Sequence, residues 1–172
     1  MKATGILRRI DELGRVVIPK EIRKSMKMRE GEELEIYTTE EEVVLKKYSE
    51  MSSLESFARS LVAAIHRVTG KDAVVTDTDK VIASSGRGVI EAGTHLPEAI
   101  VRAMSERKKL SRGEADLLPL GGEDVRSQTL HPIVSAGDLF GAIVILSREP
   151  ASRSDGDLAA MGAHFFEEQI DR

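Results

Sequence analysis

The sequence predicts an α+β protein in two parts, a small β-rich unit over residues 1–50 and an antiparallel sheet with flanking helices over residues 51–172. Three observations lead there. Short β-branched runs punctuated by turn residues fill the first part. An amphipathic helical stripe begins near Met51. After it, strand pairs alternate with helices in an order suited to helices gathered against an antiparallel sheet.

Thr4 to Arg9 reads as a strand, and Asp11 to Gly14 as a turn in which Gly14 supplies a positive φ. Arg15 to Ile18 is β-branched and apolar, a second strand. Pro19 sets the first position of a short helix, Pro19 to Met26, where its missing N–H costs nothing. Gly31 marks a turn, and Glu32 to Thr38 and Glu42 to Tyr48 follow as strands joined by a tight acidic connection. Leu34 and Ile36 share one strand face, Glu33 and Glu35 the other. A unit of about fifty residues buries little surface and usually needs a metal, disulfides or a partner. Histidine and cysteine are missing from this stretch. Two copies are therefore expected to complete one sheet system.

Met51 to Val68 is the clearest helix, with Leu54, Phe57, Ala58, Leu61, Ile65 and Val68 on one apolar stripe. Ser52 and Glu55 have capping-box spacing, and Gly70 is placed to stop the helix in a left-handed conformation. Composition shifts around Ser49 to Ser53, so this helix also connects the two parts. Ala73 to Asp77 and Lys80 to Ser84 read as strands around Thr78-Asp79, before a polar loop through Arg87, Gly88 and Gly93. Pro97 opens a helix to about Arg107. Ser127 to Val134 and Phe140 to Ser147 form a longer hairpin around Ala136-Gly137-Asp138. Ser154 caps a last helix in which Leu158, Met161, Phe165 and Ile170 face inward.

The formal net charge of −4 taken alone argues against a nucleic-acid partner. Its distribution argues the opposite. Up to Arg29 the cations are Lys2, Arg8, Arg9, Arg15, Lys20, Arg23, Lys24, Lys27 and Arg29, against Asp11, Glu12 and Glu21 alone. The sign then reverses through Glu30, Glu32, Glu33, Glu35 and the run Glu40 to Glu42. Such asymmetry within one chain points to an electrostatic partner surface. No uncharged apolar run is long enough to span a bilayer, and the first residues lack the apolar core of a signal peptide. The chain has no cysteine, which excludes disulfides, thiolate metal sites and cysteine nucleophiles. The expected setting is cytoplasmic.

The run from Met1-Lys-Ala-Thr-Gly-Ile-Leu-Arg-Arg-Ile-Asp-Glu-Leu-Gly-Arg-Val-Val-Ile-Pro to Lys20 resembles the AbrB family of bacterial transition-state regulators. Glu21-Ile-Arg-Lys24, Leu34-Glu-Ile-Tyr37 and Leu45-Lys-Lys-Tyr48 continue the likeness. It implies a swapped-hairpin β-barrel, formed by a dimer, that binds double-stranded DNA. It places Arg8, Arg15 and Arg23 at positions that carry DNA contacts. Lys24 stands where arginine is frequent, which removes the planar fork and keeps the charge. Lys2 and Arg9 are further phosphate contacts, and Lys20 lies one helical turn before Arg23 and Lys24. Arginine suits phosphate oxygens or the edge of guanine, so these residue types fit a duplex whatever the family.

The remainder resembles a GAF-type sensory domain, through Ala73-Val-Val-Thr-Asp77, His131-Pro-Ile-Val134 and Phe140-Gly-Ala-Ile-Val-Ile-Leu146. Together the two likenesses imply a regulator of sporulation-stage genes with an input domain. For that domain two readings stay open. One is a pocket for a small-molecule effector, with Ser127 and Thr129 as candidate lining residues; the other is a ligand-free oligomerisation module that makes a tetramer. No catalytic residue, cofactor or metal is expected. His66, His95, His131 and His164 show no metal-type spacing, and Ser84-Ser-Gly-Arg-Gly88 lacks the lysine and spacing of a P-loop. Asp77 and Asp79 suit a turn. An alternative reading of the whole is antitoxin-like, with DNA bound by the first part and a protein toxin captured by the second. An enzyme is the third class, supported by little beyond the unassigned histidines.

Overall fold

A computed structural model of the chain describes residues 5–86 and 88–171; Lys2, Thr4 and Arg87 lie outside the described residues. The chain divides into two compact units, Met1–Tyr48 and Ser49–Arg172.

In the first unit Pro19 is extended (φ −58°, ψ 147°) and precedes helix α1 (Lys20–Ser25), so it caps the helix rather than opening it. Strands β1 (Leu34–Thr38) and β2 (Val43–Lys47) pair antiparallel, with Leu34 opposite Lys47 and Thr38 opposite Val43. Of the strands expected at Thr4 to Arg9 and Arg15 to Ile18, residues 5–9 and 15–18 have no strand assignment. The physical reason is that a strand exists through its ladder partner, and no described strand of the single chain pairs with residues 7–9 or 15–18. The apolar side chains of these segments and of the turn between them are correspondingly bare, Leu7 being 90% exposed, Leu13 75%, Val17 73% and Ile10 70%.

The second unit opens with two helices, α2 (Glu50–Ser53) and α3 (Glu55–Thr69), where one was expected. Ser49, not Ser52, is the cap of α2. It is extended, as an N-cap must be, and its Oγ accepts the Ser52 N–H at 3.3 Å. Ser52 lies inside α2 and cannot serve. Gly70 ends α3 at φ +70°, as its position implied. The buried face of α3 is Ala58, Val62 and Ile65 with Leu61 packed against the same core, so most of the expected stripe faces inward, whereas its Phe57 and Val68 are exposed.

Five antiparallel strands follow, β3 (Asp72–Thr76), β4 (Val81–Ser84), β5 (Leu110–Gly113), β6 (Ser127–Ser135) and β7 (Asp138–Ser147), in spatial order β4-β3-β7-β6-β5. Period-two alternation gives the sheet two apolar faces. Ala73, Val75, Ile133, Ile143 and Ile145 pack against α3 and α5 (Arg153–Ile170). Val74, Leu130, Ala142, Val144 and Leu146 pack against α4 (Glu98–Ser105) and the loops carrying Val89, Leu118 and Val125. β6 and β7 meet at Ala136 (φ 49°) and Gly137 (φ 89°), a two-residue turn with both positions left-handed, which matches the twist of a hairpin.

Ser152, rather than Ser154, caps α5: its hydroxyl accepts the Asp155 N–H while the Asp155 carboxylate accepts the Ser152 N–H at 2.7 Å. The inward face of α5 is Gly156, Ala159, Gly162, Ala163 and Phe166, while Met161 and Phe165 are exposed. Small residues win that face because the helix lies close on the sheet. A Cβ on Gly162 would come within 2.4 Å of the Ile143 side chain.

This packing sets two expectations for stability. A Cβ at Gly141 would meet the Thr76 carbonyl oxygen at 1.9 Å, a backbone atom that cannot swing aside. Gly141→Ala is expected to destabilise the second unit by about 3 kcal/mol in urea unfolding; an unchanged midpoint would contradict the strand spacing. Burial works against ionisation of Asp155, but Lys71 and Ser152 outweigh it and hold its carboxyl below the ordinary carboxylate range. Its stabilising effect is therefore complete above the unfolded value near ~3.9 and is lost as pH falls through the lower folded value. Asp155→Asn should cost about 3 kcal/mol at neutral pH, since it leaves Lys71 without its partner. It should also flatten the acid limb of the stability profile; an acid limb identical to wild type would refute the assignment.

Candidate nucleic-acid interface

The cations of the first unit sit on a turn and a short helix whose geometry follows from a few backbone bonds. Asp11 N–H donates to the Arg15 carbonyl at 3.1 Å and Gly14 N–H to the Asp11 carbonyl at 2.9 Å, closing a tight reversal. Gly14 turns the chain at φ +75° with no atom near its missing side chain. The Asp11 carboxylate fixes the inside of this reversal. Its Oδ1 accepts the amides of Leu13 at 3.0 Å and Arg15 at 2.8 Å, and its Oδ2 accepts the Arg15 Nε–H at 2.8 Å. The Arg15 amide, then its guanidinium, hold the Asp11 carboxyl below the usual carboxylate range.

Arg8 is exposed, and its Nη1 donates to the Leu7 carbonyl at 3.3 Å. Arg9, Lys20, Arg23 and Lys24 are exposed and make no ion pair with any described residue. Lys20 opens α1, while Arg23 and Lys24 fall in its last turn, where the helix dipole favours positive charge. The hairpin tip Glu40 to Glu42 is exposed and shaped by Thr39, whose Oγ1 accepts the Glu42 N–H at 3.1 Å. The structure thus joins Asp11 to Arg15 and leaves Arg8, Arg9, Lys20, Arg23 and Lys24 presented to solvent.

In the second unit the expected turn at Asp77 is present, with its Oδ1 accepting the amides of Asp79 and Lys80, both at 2.7 Å. Of the histidines, His131 and His164 stand edge to face with ring centroids 5.8 Å apart. His66 Nδ1 lies 2.7 Å from Asp72 Oδ1, His131 Nδ1 donates to the Pro132 carbonyl at 3.0 Å, and His164 Nδ1 meets Glu167 Oε2 at 2.7 Å. Among the described residues no three His, Asp or Glu side chains converge on a metal position. Ser127 and Thr129 are buried in the sheet, and the Ser127 hydroxyl is engaged by the Glu149 carbonyl at 2.7 Å. Among the described residues no helix is long and apolar enough to cross a membrane.

Comparison with known proteins bears on both units. The chain is 43% identical over 154 residues to stage V sporulation protein T of Bacillus subtilis (strain 168), covering 87% of this chain and 86% of that protein. Residues 53–171 match the family described as "Stage V sporulation protein T C-terminal, transcription factor". The chain belongs to the stage V sporulation protein T family. Residues 7–52 match the family "Antidote-toxin recognition MazE, bacterial antitoxin". Over 48 residues the chain is 56% identical to transition state regulatory protein AbrB of the same bacterium, covering 28% of this chain and 50% of that protein. The AbrB likeness stated from the first fifty residues therefore holds. A crystal structure of a methyl-accepting chemotaxis protein, residues 122 to 287, superposes with a TM-score of 0.55 at 19% identity, covering 70% of this chain and 90% of that one. That likeness is one of fold and supports the GAF-like sheet of this family member. The clamp of Asp11 on Arg15 is the local feature that sequence reasoning missed, although the four-residue spacing of acid and arginine across a glycine turn was there to suggest it.

Proposed function

We propose that this family member is a sequence-specific DNA-binding transcriptional regulator of sporulation-stage genes. Residues 1–50 contact the duplex, and residues 51–172 provide signal input and further oligomerisation. The observation that carries the reading is the N-terminal surface, where exposed cations accompany apolar segments that a single chain leaves uncovered. A second copy completes the segments 5–10 and 15–18 as strands of one swapped-hairpin barrel, doubling the cations across a two-fold axis. Arg8, Arg15 and Arg23 contact DNA directly. Arg9, Lys20, Lys24 and Lys2 neutralise further phosphates and so release counterions. The kinship with AbrB over this region supports that assignment.

The second unit is a regulatory module, not an enzyme, and the protein works in the cytoplasm. Its exposed Phe57, Val68, Met161 and Phe165 on α3 and α5 suit a homotetramer contact. A small-molecule effector would act by binding one arrangement of the DNA-binding heads more tightly than another. A second reading is favoured by the MazE match over residues 7–52: an antitoxin that binds DNA and captures a protein toxin. The folded unit following the match weighs against it, and a small toxin copurifying in fixed stoichiometry would restore it.

The test is a duplex titration of the full chain carrying Arg15→Ala and Arg23→Ala. Affinity is expected to fall at least ~100-fold with the fold intact, and the logarithmic salt slope should shrink by roughly one for each phosphate no longer neutralised. Undiminished affinity in the double variant would remove the proposed surface.

A further inference from the structure

An arginine can serve DNA in two ways, as a diffuse positive charge or as an oriented fork. The fork reads sequence, because two parallel N–H bonds to one base edge demand that the guanidinium plane be fixed beforehand. Holding a long, flexible side chain in one orientation carries an entropic cost of about 2 kcal/mol for arginine, which an isolated exposed ion pair seldom meets. At Arg15 the situation differs from an isolated pair. The guanidinium is 70% exposed, yet its anchor is a carboxylate immobilised by two backbone amides, those of Leu13 and of Arg15 itself. The anchor is rigid before the arginine arrives.

We infer that Asp11 is a positioning residue for DNA recognition, which locks Arg15 Nε–H through Oδ2 and so presents the outer Nη1/Nη2 edge of the guanidinium to a base edge or phosphate. The inference rests on the proposed DNA-binding reading and adds to it a determinant of specificity. Of the five guanidinium donors, the clamp uses the one nearest the backbone and leaves the two terminal nitrogens for the duplex. The acid itself faces a polyanion, so its charge opposes binding in general. Its contribution must therefore appear as discrimination between sequences and not as raw affinity. Arg8, Arg9, Arg23 and Lys24 have no carboxylate partner among the described residues. The clamp singles out Arg15 among the candidate contacts.

The test uses the full-length chain, a duplex selected by the wild-type protein from a randomised library, and a scrambled duplex of equal composition. Asp11→Asn keeps an oxygen for the Leu13 and Arg15 amides, and so keeps the turn, while removing the charged acceptor from the guanidinium. Its affinity for the selected duplex should fall about tenfold. Binding of the scrambled duplex should stay the same or tighten, and in an Arg15→Ala background the substitution should weaken neither. Equal losses on both duplexes would mark Asp11 as merely structural and overturn the inference. An unaffected Asp11→Asn beside a weakened Arg15→Ala would overturn it while leaving the DNA-binding reading in place; two unaffected variants would overturn both. Should Asp11→Asn unfold, the wild-type protein decides by NMR. The Arg15 Nε–H must exchange with water more slowly than that of Arg9, and equal rates would contradict the clamp.

Discussion

Leu7, Ile10, Leu13 and Val17 show most of their surface to solvent in a single chain, and covering each would return about 1.5–3 kcal/mol. Several such residues on each of two copies outweigh the ~4–15 kcal/mol that association costs. The first unit depends on that imbalance. The described residues that carry Arg8, Arg9 and Arg15 have no strand assignment in the single chain, so in the proposed dimer the surface that meets DNA acquires fixed geometry when another chain supplies the missing strands. Oligomerisation and recognition are then one event. Arg15 brings part of its order with it through Asp11, whereas Arg8 and Arg9 gain theirs from the completed barrel.

The second unit is built on the opposite principle. Its sheet is apolar on both faces and covered on both, by α3 and α5 on one side and by α4 with its loops on the other. Some of the polar groups inside are matched, Gln128 bonding both the amide and the carbonyl of Leu118 at 2.7 and 2.8 Å and Lys71 meeting Asp155, whereas Ser52 Oγ and Arg112 Nε are buried with no hydrogen-bond partner among the described residues. A unit so closed has its sheet covered on both faces within one chain. In the proposed regulator, it would transmit a signal by changing which copies it touches more readily than by deforming.

What the sequence disclosed, and what it hid, divides along the same line. Periodicity found both strands of the β6–β7 hairpin, β3, β4, α5 and the C-terminal end of α3, because alternation and helical spacing are local properties, while it ran α2 and α3 together as one helix. It misplaced two caps, at Ser52 and Ser154, since several serines stood near each helix start and only backbone conformation separates a cap from a first-turn residue. On α5 it placed Leu158 and Ile170 rightly against the core but turned Met161 and Phe165 inward as well. Met161 and Phe165 are more apolar than Gly156 and Gly162, but close packing on the sheet selects small side chains. β5 escaped because Leu-Ser-Arg-Gly has no β-branched residue and is a strand through its pairing with β6. The cations of the site were legible from type and position. The clamp that orients one of them was not, because Asp11 signals a turn equally well without it.

Hydrogen exchange on the full-length chain at high protein concentration tests most directly whether a second copy completes the first unit. The amides of residues 7–10 and 16–18 lie outside any strand in the single chain. They are expected to exchange as slowly as those of β1 and β2, with a protection that fades on dilution as the copies separate. Fast exchange at every concentration, with β1 and β2 still protected, would show that the first unit stands without a partner and would contradict the shared barrel.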